Sequence, residues 1–278
     1  MIESERVPAE MLAPTSPAGE IRELFYEFEG ERKRALVYLP AAAKASPEKR
    51  FPTVYLCHGG GGSEDDFFGG AEGKSGLTHV LDNLINEGKL SPVLVVTPTY
   101  YHRGTENALV HAGAAMTLTE TFYREFEAAV IPAVEAAFPA IPDRDHRVVG
   151  GFSMGAEATW STLAYGGRAA RYYLPMSGDF WAVAVKGGED HTDETCCVLI
   201  EAMEKAGLEP GSFTVFAATG THDIAYPAMR PMVEELLRRA PWFTPENLIW
   251  CVSDGWHAYD WCRDYIAQAL PVFFPGKA

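Results

Sequence analysis

Residues 147–165 read RVVGGFSMGAEATWSTLAY, and the fold follows from how this stretch divides. A short apolar strand around Val148 and Val149 runs into Gly151-Phe152-Ser153-Met154-Gly155, and a helical stretch follows. G-x-S-x-G between a strand and a helix is a sharp turn that holds its serine in a strained backbone conformation, with the glycines removing side chains that would clash. Ser153 then stands at the head of a helix, where free N–H groups and the positive end of the dipole favour an anion. In a chain with 26 glycines the pentapeptide could arise by chance, so the rest of the sequence has to decide.

Outward from this stretch, Phe51–Cys57, Val93–Val96, Tyr172–Met176, Phe213–Ala218 and Leu248–Val252 are short runs with little polarity. Such runs predict strands covered on both faces. Helical spacing appears over Leu77–Glu87, Glu120–Phe138, Thr195–Ala206, Ala228–Ala240 and Ala258–Leu270. Pro132 should kink or divide the second of these. Alternation in Ile21–Phe28 and Arg34–Leu39 predicts an antiparallel pair of strands. Ala41–Arg50 reads as a polar connection. Residues 1–20, with Pro8, Pro14 and Pro17, read as an extended or loosely held arm. Strands alternating with helices imply an α/β fold with a mostly parallel central sheet and helices on both faces. Residues 21–278 are expected to form a single catalytic domain.

Composition narrows the partners. The 38 acidic and 23 basic side chains give a net charge of −15, which would repel nucleic acid and anionic membranes. A small-molecule or oligosaccharide ester fits better, and the oligomeric state cannot be read. No stretch is apolar and long enough to span a bilayer. The acidic N-terminus lacks a signal-peptide pattern, so a cytoplasmic location is expected unless a leader was removed. Among the five cysteines, Cys57 and Cys251 lie in strand-like runs and Cys196-Cys197 are adjacent, which suggests no disulfide framework. The eight histidines show no metal-ligand spacing. Neither a metal nor a cofactor is expected, and His58, His102, His111 and His222 read as turn caps or polar contacts.

Serine is a poor nucleophile unless a base takes its proton and a carboxylate orients that base. Two later strands carry suitable loops. One is followed by Thr219-Gly220-Thr221-His222-Asp223, the other by Ser253-Asp254-Gly255-Trp256-His257. In a parallel sheet both loops open on the edge where Ser153 emerges. The order Ser153, Asp223, His257 is that of the α/β-hydrolase fold. Asp190, Asp193, Asp254 and Asp260 compete for the acid. The first two lie in GGEDHTDE, read as a solvated loop, and the others suit a turn and a helix start. For the oxyanion, the Met154 N–H supplies one donor and Gly60, in the His58–Gly62 loop, is the expected second. That loop lacks the endings of a phosphate cradle.

HGGGGSEDDFF, RVVGGFSMGAEATW, LPMSGDFW, ATGTHDIAYPAM and DGWHAYDWCRDYI together resemble the esterase D-like branch of the α/β-hydrolases. Within it the closest resemblance is to bacterial feruloyl and acetyl-xylan esterases of the first carbohydrate-esterase family. It covers roughly residues 20–275 and implies Ser153 as nucleophile, Asp223 as acid and His257 as base. Enterochelin-type esterases, formylglutathione hydrolases and mycolyltransferases share much of the pattern. Ala156 stands where the family commonly has a further glycine. The missing secretion signal points away from polymeric xylan and towards imported feruloylated oligosaccharides or small esters. The expected activity is hydrolysis of hydroxycinnamoyl sugar esters. Other small-ester hydrolysis (acetyl-xylan, siderophore-lactone or S-formylglutathione type), acyl transfer and a non-catalytic binding module are the rivals. Phe180, Tyr100, Tyr101, Trp160, Tyr259 and Trp261 lie near the candidate loops, and Trp181 and Trp256 are the expected substrate-binding aromatics.

Overall fold

The computed structural model describes residues 1–46, 48–105 and 112–276, so His111 lies outside the described residues. Among these the strands are β1 (Ile2–Glu3), β2 (Glu20–Phe28), β3 (Glu31–Leu39), β4 (Thr53–Cys57), β5 (Leu94–Thr97), β6 (Arg147–Phe152), β7 (Tyr172–Met176), β8 (Thr214–Gly220) and β9 (Leu248–Ser253). They form one sheet in the order β1-β9-β8-β7-β6-β4-β5-β3-β2. Only β2–β3 and β3–β5 are antiparallel, and the other pairs run parallel. The β2–β3 hairpin turns on Glu29 and Gly30, both at positive φ, which matches the twist of the strands it joins.

The helices are α1 (Ala41–Ala45), α2 (Leu77–Asn86), α3 (Ala112–Glu125), α4 (Ile131–Ala137), α5 (Met154–Tyr165), α6 (Gly187–Asp190), α7 (Thr192–Lys205), α8 (Tyr226–Leu236) and α9 (Tyr259–Phe273). Side chains alternate across the sheet. Val54, Leu56, Val148 and Leu174 join Val80 and Leu81 of α2 and Ile266 and Leu270 of α9 in one core. Tyr55, Cys57, Val149 and Tyr173 join Phe122, Trp160, Leu199 and Met232, from α3, α5, α7 and α8, in the other. Each such side chain gains about 1.5–3 kcal/mol by leaving water, which is why the central runs carry almost no polar residues.

Several segments differ from expectation. The helix expected over Glu120–Phe138 begins by Ala112 and passes through a π turn at Phe126–Val130 before α4. Pro132 has no N–H to donate and its ring would press on the preceding turn, and the wider turn relieves both. The connection Ala41–Arg50 contains α1. GGEDHTDE is solvated as expected at its charged residues but is not a loop: it forms α6 and the start of α7, with Gly187 and Gly188 buried. The helix expected to reach Ala240 ends at Leu236, leaving Arg238 and Arg239 in the turn beyond.

The first residues are held against the sheet. Ile2 and Glu3 pair with Cys251 and Val252. Arg6 meets Asp260 at 3.0 Å and Asp264 at 2.8 Å, and lies 4.2 Å from the Trp261 ring centroid. The five cysteines are unpaired. Among the described residues no helix is long and apolar enough to cross a membrane, and no group of three or more His, Cys, Asp or Glu could hold a metal.

Candidate active site

Ser153 has φ 56° and ψ −117°, a conformation that costs a non-glycine residue about 1–3 kcal/mol. Its surroundings hold it there. The Ser153 N–H donates to the Met176 carbonyl at 3.0 Å, and the Ala156 N–H donates to the Ser153 carbonyl at 2.9 Å. A Cβ at Gly155 would collide with the Cys57 carbonyl, so α5 can sit directly on the end of β4 only with glycine there.

β8 and β9 run parallel with Gly220 opposite Ser253, so their C-terminal loops emerge side by side. The Thr221 N–H donates to the Ser253 carbonyl at 2.9 Å and the His222 N–H to the Gly255 carbonyl at 3.1 Å. This pairing carries His257 to Asp223, with Nδ1 2.7 Å from Oδ1. On its other side, Nε2 lies 3.0 Å from Ser153 Oγ. Asp223 is buried, and Oδ1 also accepts the Ala225 N–H at 2.8 Å. An imidazole donating Nδ1–H to this carboxylate leaves the Nε2 lone pair facing the serine hydroxyl. The Phe152 ring packs 4.5 Å from the imidazole. The competing carboxylates are occupied elsewhere or open to water: Asp193 pairs with Arg239, Asp260 with Arg6, and Asp190 and Asp254 are exposed.

The glycine loop packs against Phe152, next to Ser153. The Gly60 and Met154 N–H groups have no hydrogen-bond partner among the described residues. Their neighbours are pinned. The Gly59 N–H donates to Tyr259 Oη and the Gly61 N–H to Tyr101 Oη, each at 2.8 Å. Tyr259 in turn donates to Asp66 Oδ2 at 2.9 Å, and its ring packs 4.7 Å from Phe152. His58 is buried with its ring nitrogens 2.8 Å from the Gly59 carbonyl and 2.8 Å from Thr99 Oγ1. Burial lowers its pKa, which makes it a neutral brace.

The loop after β7 forms a third wall. A Cβ on Gly178 would lie 2.6 Å from the Ser153 carbonyl, so this loop touches the Ser153 backbone. Asp179, buried, accepts the Trp181 indole N–H at 2.9 Å and the Gly188 N–H at 2.8 Å. Burial pushes its pKa up to about 6. Trp181 is half-buried, whereas Trp256 is exposed. Phe180, Tyr100 and Trp160, counted among the loop aromatics, are fully buried core. One turn into α5, Glu157 is also buried and accepts the Ser161 hydroxyl at 2.7 Å, its pKa pushed up to about 8 by burial. Sequence reasoning missed the bracing parts played by Asp66, Tyr259 and Asp179. Asp66 and Tyr259 are 193 positions apart, and only the fold joins them.

The sequence profile of the Esterase family matches residues 27–171, which includes Ser153 and stops before Asp223 and His257. Endo-1,4-beta-xylanase Y of Acetivibrio thermocellus is 32% identical over 283 residues, covering 96% of this chain and 24% of that protein. An endo-1,4-beta-xylanase/feruloyl esterase of Xylanibacter ruminicola is 31% identical over 136 residues, covering 48% of this chain and 18% of that protein. This chain thus spans a quarter or less of the length of these two relatives. Among solved structures, a mutant feruloyl esterase module from Clostridium thermocellum, complexed with sinapinate, superposes with a TM-score of 0.83 at 30% identity, covering 98% of this chain and 94% of that one.

Proposed function

The chain belongs to the Esterase family, and from that membership we propose a serine carboxylic-ester hydrolase that works through an acyl-enzyme on hydroxycinnamoyl esters of sugars. The hydrogen-bond chain Ser153–His257–Asp223, at 3.0 and 2.7 Å, carries this reading. Ser153 Oγ attacks the ester carbonyl as its proton passes to His257 Nε2, and Asp223 holds the imidazole in the needed tautomer. The carbonyl oxygen becomes an oxyanion and takes the N–H groups of Met154 and Gly60. Collapse of the intermediate breaks the bond to the alcohol, whose oxygen receives the proton from Nε2. Water then repeats the sequence on the acyl-enzyme and releases the acid.

An aromatic acyl group is supported by the relatives named for feruloyl esterase and by Trp181, whose indole is fixed by Asp179 in the loop against Ser153. Burying an aromatic ring is worth roughly 2 kcal/mol. Methyl ferulate should therefore exceed methyl acetate in kcat/KM by at least about tenfold, and Trp181→Ala should erase most of that preference. A panel with acetylated xylan and a catechol trilactone tests the substrate, and a fluorophosphonate tests the nucleophile. Undiminished labelling of Ser153→Ala would remove Ser153 from its role. A wild-type preference for the acetate would remove the aromatic acyl group.

A further inference from the structure

Among the described residues, six large hydrophobic side chains are exposed, and two of them flank the catalytic pair. Trp256 directly precedes His257 and Ile224 directly follows Asp223, and each is 63% exposed. Trp256 is nevertheless not a free side chain. Its ring stacks on that of His222, with centroids 4.9 Å apart and planes 23° from parallel. His222 is itself fixed, its N–H donating to the Gly255 carbonyl at 3.1 Å and its Nδ1 lying 2.9 Å from the Asp254 carbonyl. The result is a braced, flat aromatic face with solvent over it, built from the two loops that supply the base and the acid.

The chemistry says which half of an ester meets that face. The proton taken from Ser153 leaves on the departing alkoxide, so the alcohol oxygen must come against His257 Nε2. The carbonyl oxygen turns towards Met154 and Gly60, and the acyl group lies against the loop of Trp181. Side chains next to His257 on the solvent side therefore border the alcohol. A sugar ring offers an apolar C–H face that packs on an aromatic plane, with hydroxyls left at its edge for water and nearby polar groups.

We propose that Trp256, braced by His222, is the alcohol-side subsite and takes the sugar ring of a glycosyl ester. The proposal rests on the triad reading and adds the leaving group to it. Because the alcohol departs on acylation, the subsite acts on kcat/KM and on the rate of acylation, and the later decay of the acyl-enzyme no longer involves it.

The test compares a feruloyl monosaccharide ester with methyl ferulate, which share one acyl group. Wild type should prefer the sugar ester by about 5–30-fold in kcat/KM. Trp256→Ala should lose at least fivefold more on the sugar ester than on the methyl ester, His222→Ala a smaller differential, and Trp256→Phe should keep about half of the preference. The differential should fall on acylation when the burst and decay phases are resolved. Equal losses on both esters would overturn the proposal, because Trp256 would then only position His257. Unchanged kcat/KM on both esters would overturn it too, and would leave Trp256 as surface or as a contact for another protein. Turnover of methyl ferulate by the wild type reports the triad reading separately from this ratio.

Discussion

Around Ser153, the glycine loop on one side and the rim carrying Trp256 on the other meet solvent in opposite ways. The His58–Gly62 loop is held by hydroxyls of Tyr259 and Tyr101 and by the buried His58, so among the described residues the Gly60 N–H is left free between fixed neighbours. By contrast, the Trp256 ring stacks on one partner among the described residues, His222, and lies mostly in water. Donors for a developing negative charge act only if they are already aimed, because reorganisation would consume the gain. A surface that receives leaving groups of different sizes gains nothing from being walled in. On the proposed mechanism, the molecule is stiff where charge would develop and open where the leaving alcohol would lie.

The harshest way to break this contrast is to disable the chemistry that both sides share. Asp223→Asn should lower kcat by about 10⁴, because the imidazole loses its tautomer. Asp254→Asn should change it by no more than a few fold, and the reverse ranking in steady-state kinetics would reassign the acid. A narrower cut reaches the stiff side alone. Tyr259→Phe removes the acceptor for the Gly59 N–H and the donor to Asp66 while keeping the ring. Losing one oxyanion donor costs about 10²–10³ in kcat, so loosening its neighbour should cost about 10–100-fold. KM should move far less, and affinity for a boronate that mimics the tetrahedral intermediate should fall in step with kcat. If Tyr259→Phe lowers melting temperature and leaves boronate affinity intact, the hydroxyl serves only packing.

The mildest change sharpens the comparison from behind the stiff side. With the Glu157 carboxyl pushed up to about 8, the folded state keeps a proton that the unfolded chain releases in the usual carboxylate range. That stability is fully present below the unfolded value and is lost as pH rises through about 8. Wild type should lose about 2–4 kcal/mol between pH 5 and 8, and Glu157→Gln, which cannot titrate, should flatten that slope in denaturant titrations.

The three groups of the candidate triad were legible because each lies within a short loop of the end of an apolar strand: Ser153 straight after β6, Asp223 and His257 just past β8 and β9. A parallel sheet delivers all such ends to one edge, so position after a strand stands in for position in space. The braces were not legible for the converse reason. Asp66 and Tyr259 belong to different strand ends, and nothing near either residue announces the other. The charges of GGEDHTDE do lie in water, but the loop read there failed because Gly188 is drawn into the core by a buried carboxylate in another loop. Pro132 did mark a break, but the form of the break, a widened turn, depends on how α3 and α4 pack on the sheet. Trp256 could be placed beside the base, yet its exposure is a property of the rim.

The pairing of β1 with β9 bears on how this site would fail. Ile2 and Glu3 cover Cys251 and Val252, and the Ser4 N–H reaches the Val252 carbonyl at 2.8 Å. Without those two residues β9 would be the last strand, and β9 is the strand that leads to His257. Amide exchange along β9 then divides into two processes: N–H groups facing β1 are released when a two-residue strand lifts, those facing β8 only when the sheet parts. Under rising denaturant, turnover should fade while the opposite half of the sheet still protects its amides.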